Sequence, residues 1–436
     1  MTHKVVFVNR FFHPDLSATS QMLSDLAFRL AQSGVDVHVI CSRQLYENAM
    51  AALPRRECVQ GVQVHRVWTS TFGRRSLLGR ALDYASFYVT ATLSLFALLR
   101  TGDVAVVKTD PPLLSIPAAV VVAVRGAKLV NWLQDVFPEV ASRLGMKALP
   151  RPLELGLQAL RDRSLAFARA NVVLGTRMRD YLRGRRNVAV DRFQIIANWA
   201  DGTAVQPRSA ASSELRRQLG LTDRFVVGYS GNLGRAHEFD TILAAAEALR
   251  DDPAFVFLMI GGGAKVQALQ RCVAESGLTN FCFAPYQPRE ALADSMAAAD
   301  VHWVSLLPEL EGLIVPSKMY GILAAGRPTI FIGDSRGELA HLIRDGACGS
   351  VVSPGDGAGL AAELRHLKND PDYTAELGRR ARAMFEARFT LDGAADEWLH
   401  LLQHVGGLAA AAPAIAVASD PITAHAAVGT SPEARA

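Results

Sequence analysis

The chain is short of the residues that staple or metallate a fold. Its 436 residues include five cysteines, Cys41, Cys58, Cys272, Cys282 and Cys348, odd in number and never in Cys-x-x-Cys spacing. That usage argues for a reducing compartment and against a structural metal. The one closely spaced histidine pair, His400 and His404 in HLLQH, lacks the glutamate of a zinc-protease helix, and no Ser-His-Asp arrangement is legible. The only Asp-x-Asp, Asp370 and Asp372 around Pro371, reads as a turn opening a helix. No metal and no cofactor is expected.

Long hydrophobic runs are missing too. The longest, Ser86 to Leu99 and Leu113 to Val124, are each shorter than the roughly 20 residues of a membrane-spanning helix, so they read as buried or interfacial segments. The opening, MTHKVVFVNRFF, has no basic leader, apolar core or small-residue cleavage site. No secretory signal is expected, and the chain reads as cytoplasmic. The aromatic-basic motifs of nucleic-acid binding are absent, so no nucleic-acid partner is expected.

Net charge is only +4, but it is uneven: Lys plus Arg against Asp plus Glu is 26 to 15 over residues 1–205 and 20 to 27 over the remainder. Arginines crowd at Arg74, Arg75 and Arg80, before an apolar run, and from Arg151 to Arg192. A basic face beside exposed apolar residues suits an anionic membrane surface, while a solvated arginine-rich face is the rival reading.

What the sequence does carry is an α/β grammar used twice. Half the residues are apolar and a fifth charged, a globular composition, and the length suits two domains. Lys4 to Asn9 is a β-branched run, FFHPDLSATS a loop, Gln21 to Gln32 has helical spacing, and Val35 to Cys41 is again strand-like. The pattern restarts with Phe225 to Tyr229 as strand, SGNLGRAHEF as loop, Asp240 to Arg250 as helix and Phe255 to Ile260 as strand, ending in Gly261, Gly262 and Gly263. Two Rossmann-like, doubly wound domains are expected, 1–205 and 206–385, with a linker near residues 198–212, a closing helix over 386–405 and a disordered Ala/Pro-rich tail over 406–436. Such sheets bind ligands at the carboxyl ends of their strands, so the site should lie in the cleft between the domains.

One segment suggests the ligand. In EGLIVPSKMYGILAAGRPTI, residues 311–330, Ser317 reads as an N-cap that leaves helix N–H groups open to a phosphate, with Lys318 beside them. Upstream, Glu311 can accept hydrogen bonds from hydroxyls. A pyrophosphate carrying a polyol is a nucleotide sugar. No acidic ribose-binding residue follows a GxGxxG pattern, which disfavours a nicotinamide enzyme.

The ordered segments FFHPDLSATSQMLSDLAFRLAQSGVDVHVI, NWLQDVFPEVA, IIANWAD, GYSGNLGRAHEFDTIL, FLMIGGG and EGLIVPSKMYGILAAGRPTI, across residues 4 to 402, resemble glycosyltransferase family 4, a group of GT-B enzymes. The likeness is narrower to the bacterial branch that builds exopolysaccharide, O-antigen and colanic acid. It implies transfer from a nucleotide sugar, a UDP-sugar before a GDP-sugar, to a lipid-linked saccharide, with anomeric configuration retained and no metal.

It also implies roles, with departures. Where that family holds the donor diphosphate with a loop arginine and a lysine five residues later, this chain has Asn232 and His237. Cations lie nearby at Arg235 and Lys318, which are therefore assigned to the diphosphate. Gly231 and Gly234 would let the backbone approach, and Asn232, Gly263 and Tyr286 would join the donor pocket. Of the family's paired glutamates, the second falls on Gly321 and the first nominally on Leu313, with Glu309 and Glu311 close by. Glu311 is assigned to the donor sugar hydroxyls; Ser317, Tyr320 or the backbone would serve the ribose. The usual His-Asp reads Gln134-Asp135. Gln134 is placed against the donor sugar, while Asp135, ending a strand-like run, would orient or deprotonate the acceptor hydroxyl unless it caps a turn. Ser17, Thr19 and Ser20 would touch the acceptor or the donor phosphates, or cap a helix, and Asn198 and Asp201 read as hinge packing. A UDP-sugar 2-epimerase and a non-catalytic nucleotide-sugar-binding subunit are the alternative readings.

Overall fold

The structure is a computed structural model that describes residues 3–72, 77–145, 150–184 and 188–407. Arg74, Arg75 and the tail from residue 408 lie outside those residues. The first domain opens with β1 (Val5–Val8), α1 (Ala18–Gln32) and β2 (Val37–Ser42), the expected βαβ unit, followed by a hairpin of β3 (Arg56–Val59) and β4 (Val62–Val67). Gln60 and Gly61 close that hairpin at φ 48° and 82°, the two positive angles a type I′ turn requires. Then come α2 (Leu77–Leu98), β5 (Val104–Lys108), α3 (Ser115–Arg125), β6 (Lys128–Trp132), α4 (Glu139–Arg143), α5 (Arg151–Phe167), β7 (Ala170–Val173), α6 (Thr176–Arg183) and β8 (Phe193–Ile195). The eight strands run in the order β3-β4-β2-β1-β5-β6-β7-β8, parallel except for the hairpin.

The second domain contains α7 (Glu214–Gln218), β9 (Phe225–Asn232), α8 (Asp240–Ala248), β10 (Phe255–Gly262), α9 (Val266–Glu275), β11 (Phe281–Ala284), α10 (Leu292–Ala297) and β12 (Val301–Ser305). It continues through α11 (Lys318–Ala324), β13 (Thr329–Ile332), α12 (Glu338–Gly346), β14 (Gly349–Val352), α13 (Gly357–Asn369) and α14 (Pro371–Arg388). Its six strands are ordered β11-β10-β9-β12-β13-β14, all parallel. Strands bonded at both edges and covered on both faces demand continuous apolar runs, which VVFV of β1, VAVV of β5 and IFI of β13 supply, each buried throughout. Strand order reverses between β1 and β5 in one sheet and between β9 and β12 in the other. The loops leaving those strands are where ligands are expected.

The chain crosses between the domains twice, side by side. Ala200 donates its N–H to the Phe389 carbonyl at 3.2 Å and forms a parallel bridge with Thr390. The last helix, α15 (Leu391–Gly406), then returns to the first domain and buries Ala394, Ala395, Trp398 and Leu402 in its core. A third link is an antiparallel bridge between Asp135 and Ile314, with the Val136 N–H donating to the Leu313 carbonyl at 3.0 Å. Asp370 caps α14 by accepting from the Tyr373 N–H at 2.9 Å, with Pro371 in the first turn, so Asp370-Pro371-Asp372 is the helix opening expected of it.

One expectation is corrected by α2. The apolar run is shorter than a membrane span, but the helix starts nine residues earlier and, over Leu78–Leu98, is long and apolar enough to cross a membrane by length and composition. Arg80 and Asp83 interrupt the hydropathy without interrupting the helix. Phe87, Ala91 and Leu95 pack into the core with Val6, Val8 and Ile40. On the opposite side Leu78, Leu82, Val89, Leu93 and Phe96 are exposed, within about 60° of one another around the helix axis.

Candidate active site

Lys318, at the start of α11, carries the second-domain half of the site. Its stem lies against Gly231, where an added Cβ would stand 3.0 Å from Cε; Gly231 also has φ +120°, so both space and backbone favour glycine. The ammonium sits 3.2 Å from His237 Nε2 and 5.1 Å from the centre of the Tyr229 ring. Among the described residues no carboxylate forms an ion pair with it. Burial therefore pushes the lysine down to about 8. Burial, then the Lys318 charge, pushes His237 down to about 3, so its ring is neutral. Lys265 donates its ammonium to the His237 carbonyl. Arg235 is exposed on the same loop.

Beside this cation a cavity of 230 Å3 opens at the carboxyl ends of β9, β10 and β11, lined by Gly231, Met259, Gly261, Val266, Gln270 and Phe283 among others. Tyr286 lies over the glycines, its ring 3.1 Å and 3.0 Å from where Cβ atoms on Gly261 and Gly262 would be. Gly263, at φ +130°, is held so close that a Cβ would strike the Leu233 carbonyl at 2.5 Å and Asn232 Oδ1 at 2.6 Å. Gly234 does not have a positive φ, and its ideal Cβ would be 3.3 Å from Asn232 Nδ2.

The first-domain half is built at the end of β5 and β6. Lys108 is buried, donates to the Thr19 carbonyl at 2.9 Å and lies 4.0 Å from the centre of the Trp132 ring. Burial pushes it down to about 7. Thr19 Oγ1 donates to Asp110 Oδ2 at 3.4 Å. Asp135 is pushed up to about 6 by burial, against a hydrogen bond from Thr109, and its Oδ1 is buried without a hydrogen-bond partner. A carboxyl group in that state can accept a proton or orient a hydroxyl.

Several expected residues are placed elsewhere. Tyr320 is 1% exposed, packs edge-on against Phe389 at 5.1 Å, and cannot touch a ribose. Gln134 does not face the donor freely, because its amide exchanges two hydrogen bonds with Asn198 at 3.2 Å and 3.1 Å. Ser20 is buried and donates to the Asp15 carbonyl at 3.0 Å, and Ser17 turns its hydroxyl onto the Asp15 carboxylate. Neither hydroxyl is offered to an acceptor. Ser317 is exposed but makes no side-chain cap, and α11 has only seven residues, so the expected N-cap is not formed and the cation of this segment is Lys318. Arg161, expected on the basic face, is buried and paired with Glu139 at 2.7 Å and Asp162 at 2.8 Å.

Glu311 also has another task. Its Oε1 accepts the Glu338 N–H at 2.7 Å, and Glu338 Oε2 in turn accepts the Arg177 N–H at 2.8 Å and the Thr176 hydroxyl at 3.0 Å. Each carboxylate thus sits on a helix N-terminus, α12 in one domain and α6 in the other, where donors are otherwise orphaned. Glu338→Ala is expected to lower stability by about 1 kcal/mol, the usual value of such a cap, read as a shifted denaturant midpoint at unchanged slope.

Sequence reasoning missed Lys108, Asp110 and Lys265. The first two were legible in VAVVKTD, where a β-branched run ends in charge at a strand's carboxyl end.

Two doubly wound domains facing one another, with a caged cation at the second sheet's switch point and the Asp135 carboxyl in the loop leaving β6 of the first, define a GT-B architecture. A family model for glycosyl transferases group 1 matches residues 211–384. The chain is 26% identical over 352 residues to WcaI of Escherichia coli (strain K12), named as a colanic acid biosynthesis glycosyl transferase, covering 78% of this chain and 85% of that one. It is 26% identical over 288 residues to the glycosyltransferase WbjE of Pseudomonas aeruginosa, covering 66% and 72%. Among solved structures, Anabaena Alr3699/HepE in complex with UDP-glucose superposes with a TM-score of 0.68 at 17% identity, over 92% of this chain and 99% of that one. Over its second domain the chain is thus similar to glycosyl transferases of group 1, and as a whole it has the GT-B fold.

Proposed function

We propose that the chain transfers a sugar, with retention of anomeric configuration, from a UDP-sugar to a lipid-linked saccharide at the inner face of an anionic membrane, without metal or cofactor. The observation that carries this reading is Lys318, a half-buried cation with no carboxylate ion partner among the described residues, caged against Gly231 beside a base-sized cavity. The acceptor hydroxyl would attack the anomeric carbon as the sugar–phosphate bond breaks, and the departing phosphate oxygen would take the hydroxyl proton. Lys318 and Arg235 would stabilise the charge developing on that phosphate, and Asp135 would orient the acceptor. HepE, solved with UDP-glucose, supports UDP as the first nucleotide to try. The deciding test is purified protein with pooled UDP- and GDP-sugars and polyprenyl-diphosphate saccharides. Glycosylated lipid is the expected product; nucleotide binding without transfer, or epimerised donor without acceptor, would sink the proposal.

The lipid part rests on a layer of three helices. α3 packs against both α2 and α5. Together with the stripe on α2, Val120 and Val124 of α3 and Leu153, Leu160 and Phe167 of α5 are exposed. Arg125 lies 5.0 Å from the Phe96 ring, and Arg151 and Arg163 are exposed nearby in sequence. Apolar side chains that enter the interface with arginines at headgroup level give binding that depends on both area and lipid charge. The chain is expected to float with vesicles containing anionic lipid and to do so poorly with neutral ones. Val89→Asp combined with Leu93→Asp should abolish flotation; equal binding to both vesicle types would remove the charge component.

A further inference from the structure

We propose that His237 is a positioning residue for the donor-phosphate cation: it holds the Lys318 ammonium in the glycine cradle, and a lysine placed at 237 would take over that cation's task. The proposal rests on the reading that Lys318 meets the donor diphosphate. Its basis is the hydrogen bonding of one ring. His237 Nδ1 is 2.6 Å from the Ser305 carbonyl, and a carbonyl only accepts, so Nδ1 carries the proton. Nε2 is then left with its lone pair, aimed at Lys318 Nζ 3.2 Å away. The ring has little freedom to turn, being 7% exposed and set edge-on to Tyr229 at 5.8 Å. Lys265 fixes the backbone beneath it through the His237 carbonyl.

The consequence for Lys318 is directional. A neutral acceptor takes one ammonium hydrogen without neutralising the charge, whereas a carboxylate would have cancelled it. Hydrogens remain for phosphate oxygens. Because Nε2 ends at hydrogen-bond distance from Nζ, the side chain at 237 points at the place where the cation now stands. Loop and helix therefore converge on one point, and either can supply the charge.

The test is UDP binding by calorimetry at pH 7, with folding checked by circular dichroism. Lys318→Ala is expected to weaken UDP by at least about tenfold, the scale of one charge-assisted hydrogen bond. Adding His237→Lys to that variant should bring affinity back to within about threefold of wild type. Alone, His237→Gln, which keeps an acceptor, should stay near wild type, and His237→Leu should lose about tenfold. A double variant no better than Lys318→Ala, or His237→Leu binding like wild type, would overturn the assignment of His237 while leaving the anion site in place. Undiminished binding by Lys318→Ala would overturn the anion site itself, and this inference with it.

Discussion

Lys318→Ala should lower sugar transfer by roughly two to three orders of magnitude, the range for removing one preorganised group that stabilises developing charge. The loss is expected in turnover as well as in donor affinity, because the phosphate gains charge as the sugar leaves. It would be measured with whichever donor of a UDP- and GDP-sugar pool serves the wild-type chain, and unchanged turnover would move the anion site elsewhere. The same residue sets a pH dependence. Burial lowers it from 10.5 to about 8, with His237 and Tyr229 against it and Lys265 behind His237. Above pH 8 the free enzyme loses this proton, and binding a diphosphate must restore it. UDP affinity should therefore fall as pH rises through 8, by up to about tenfold per pH unit, with proton uptake visible in calorimetry. Stability moves the opposite way. Between 8 and 10.5 the unfolded chain holds the proton more tightly than the folded one, so this group's contribution to stability rises with pH over that window.

Trp398→Ala is expected to cost about 3–5 kcal/mol, the range for truncating a fully buried aromatic side chain. Trp398 is 0% exposed; its ring centroid lies 4.8 Å from that of Trp132 and 6.5 Å from that of Phe7. Those rings belong to β6 and β1, so a residue near the end of the described chain completes the core of the first domain. The loss should appear as a lower denaturant midpoint. A change below about 1 kcal/mol would mean that the site collapses without a cavity.

The two-domain pattern was legible because buried parallel strands must be apolar throughout, and FVVGY and FVFLMI announce themselves. The length of α2 was not, since hydropathy stops at Asp83 while helical hydrogen bonding does not. The nearness of Lys318 to Gly231 was legible from the Pro-Ser-Lys helix start and the glycine-bearing loop after β9. Tyr320 was misplaced for a reason the sequence contains: residues two apart on a helix point in nearly opposite directions, so a tyrosine two after a cleft-facing lysine must face the core. Glu311 could not have been read correctly. The helix end it meets begins 27 positions later, and nothing local announces that pairing. The amide exchange between Gln134 and Asn198 spans 64 positions, again a matter of tertiary placement rather than local pattern.

The paired crossings at Ala200 and Phe389 have a mechanical consequence. With the bridge between Asp135 and Ile314 they pin the two sheets to each other at separated points. The place of Lys318 relative to Asp135 is therefore fixed by main-chain bonds, like two plates bolted at both ends, and does not depend on the side chains between them.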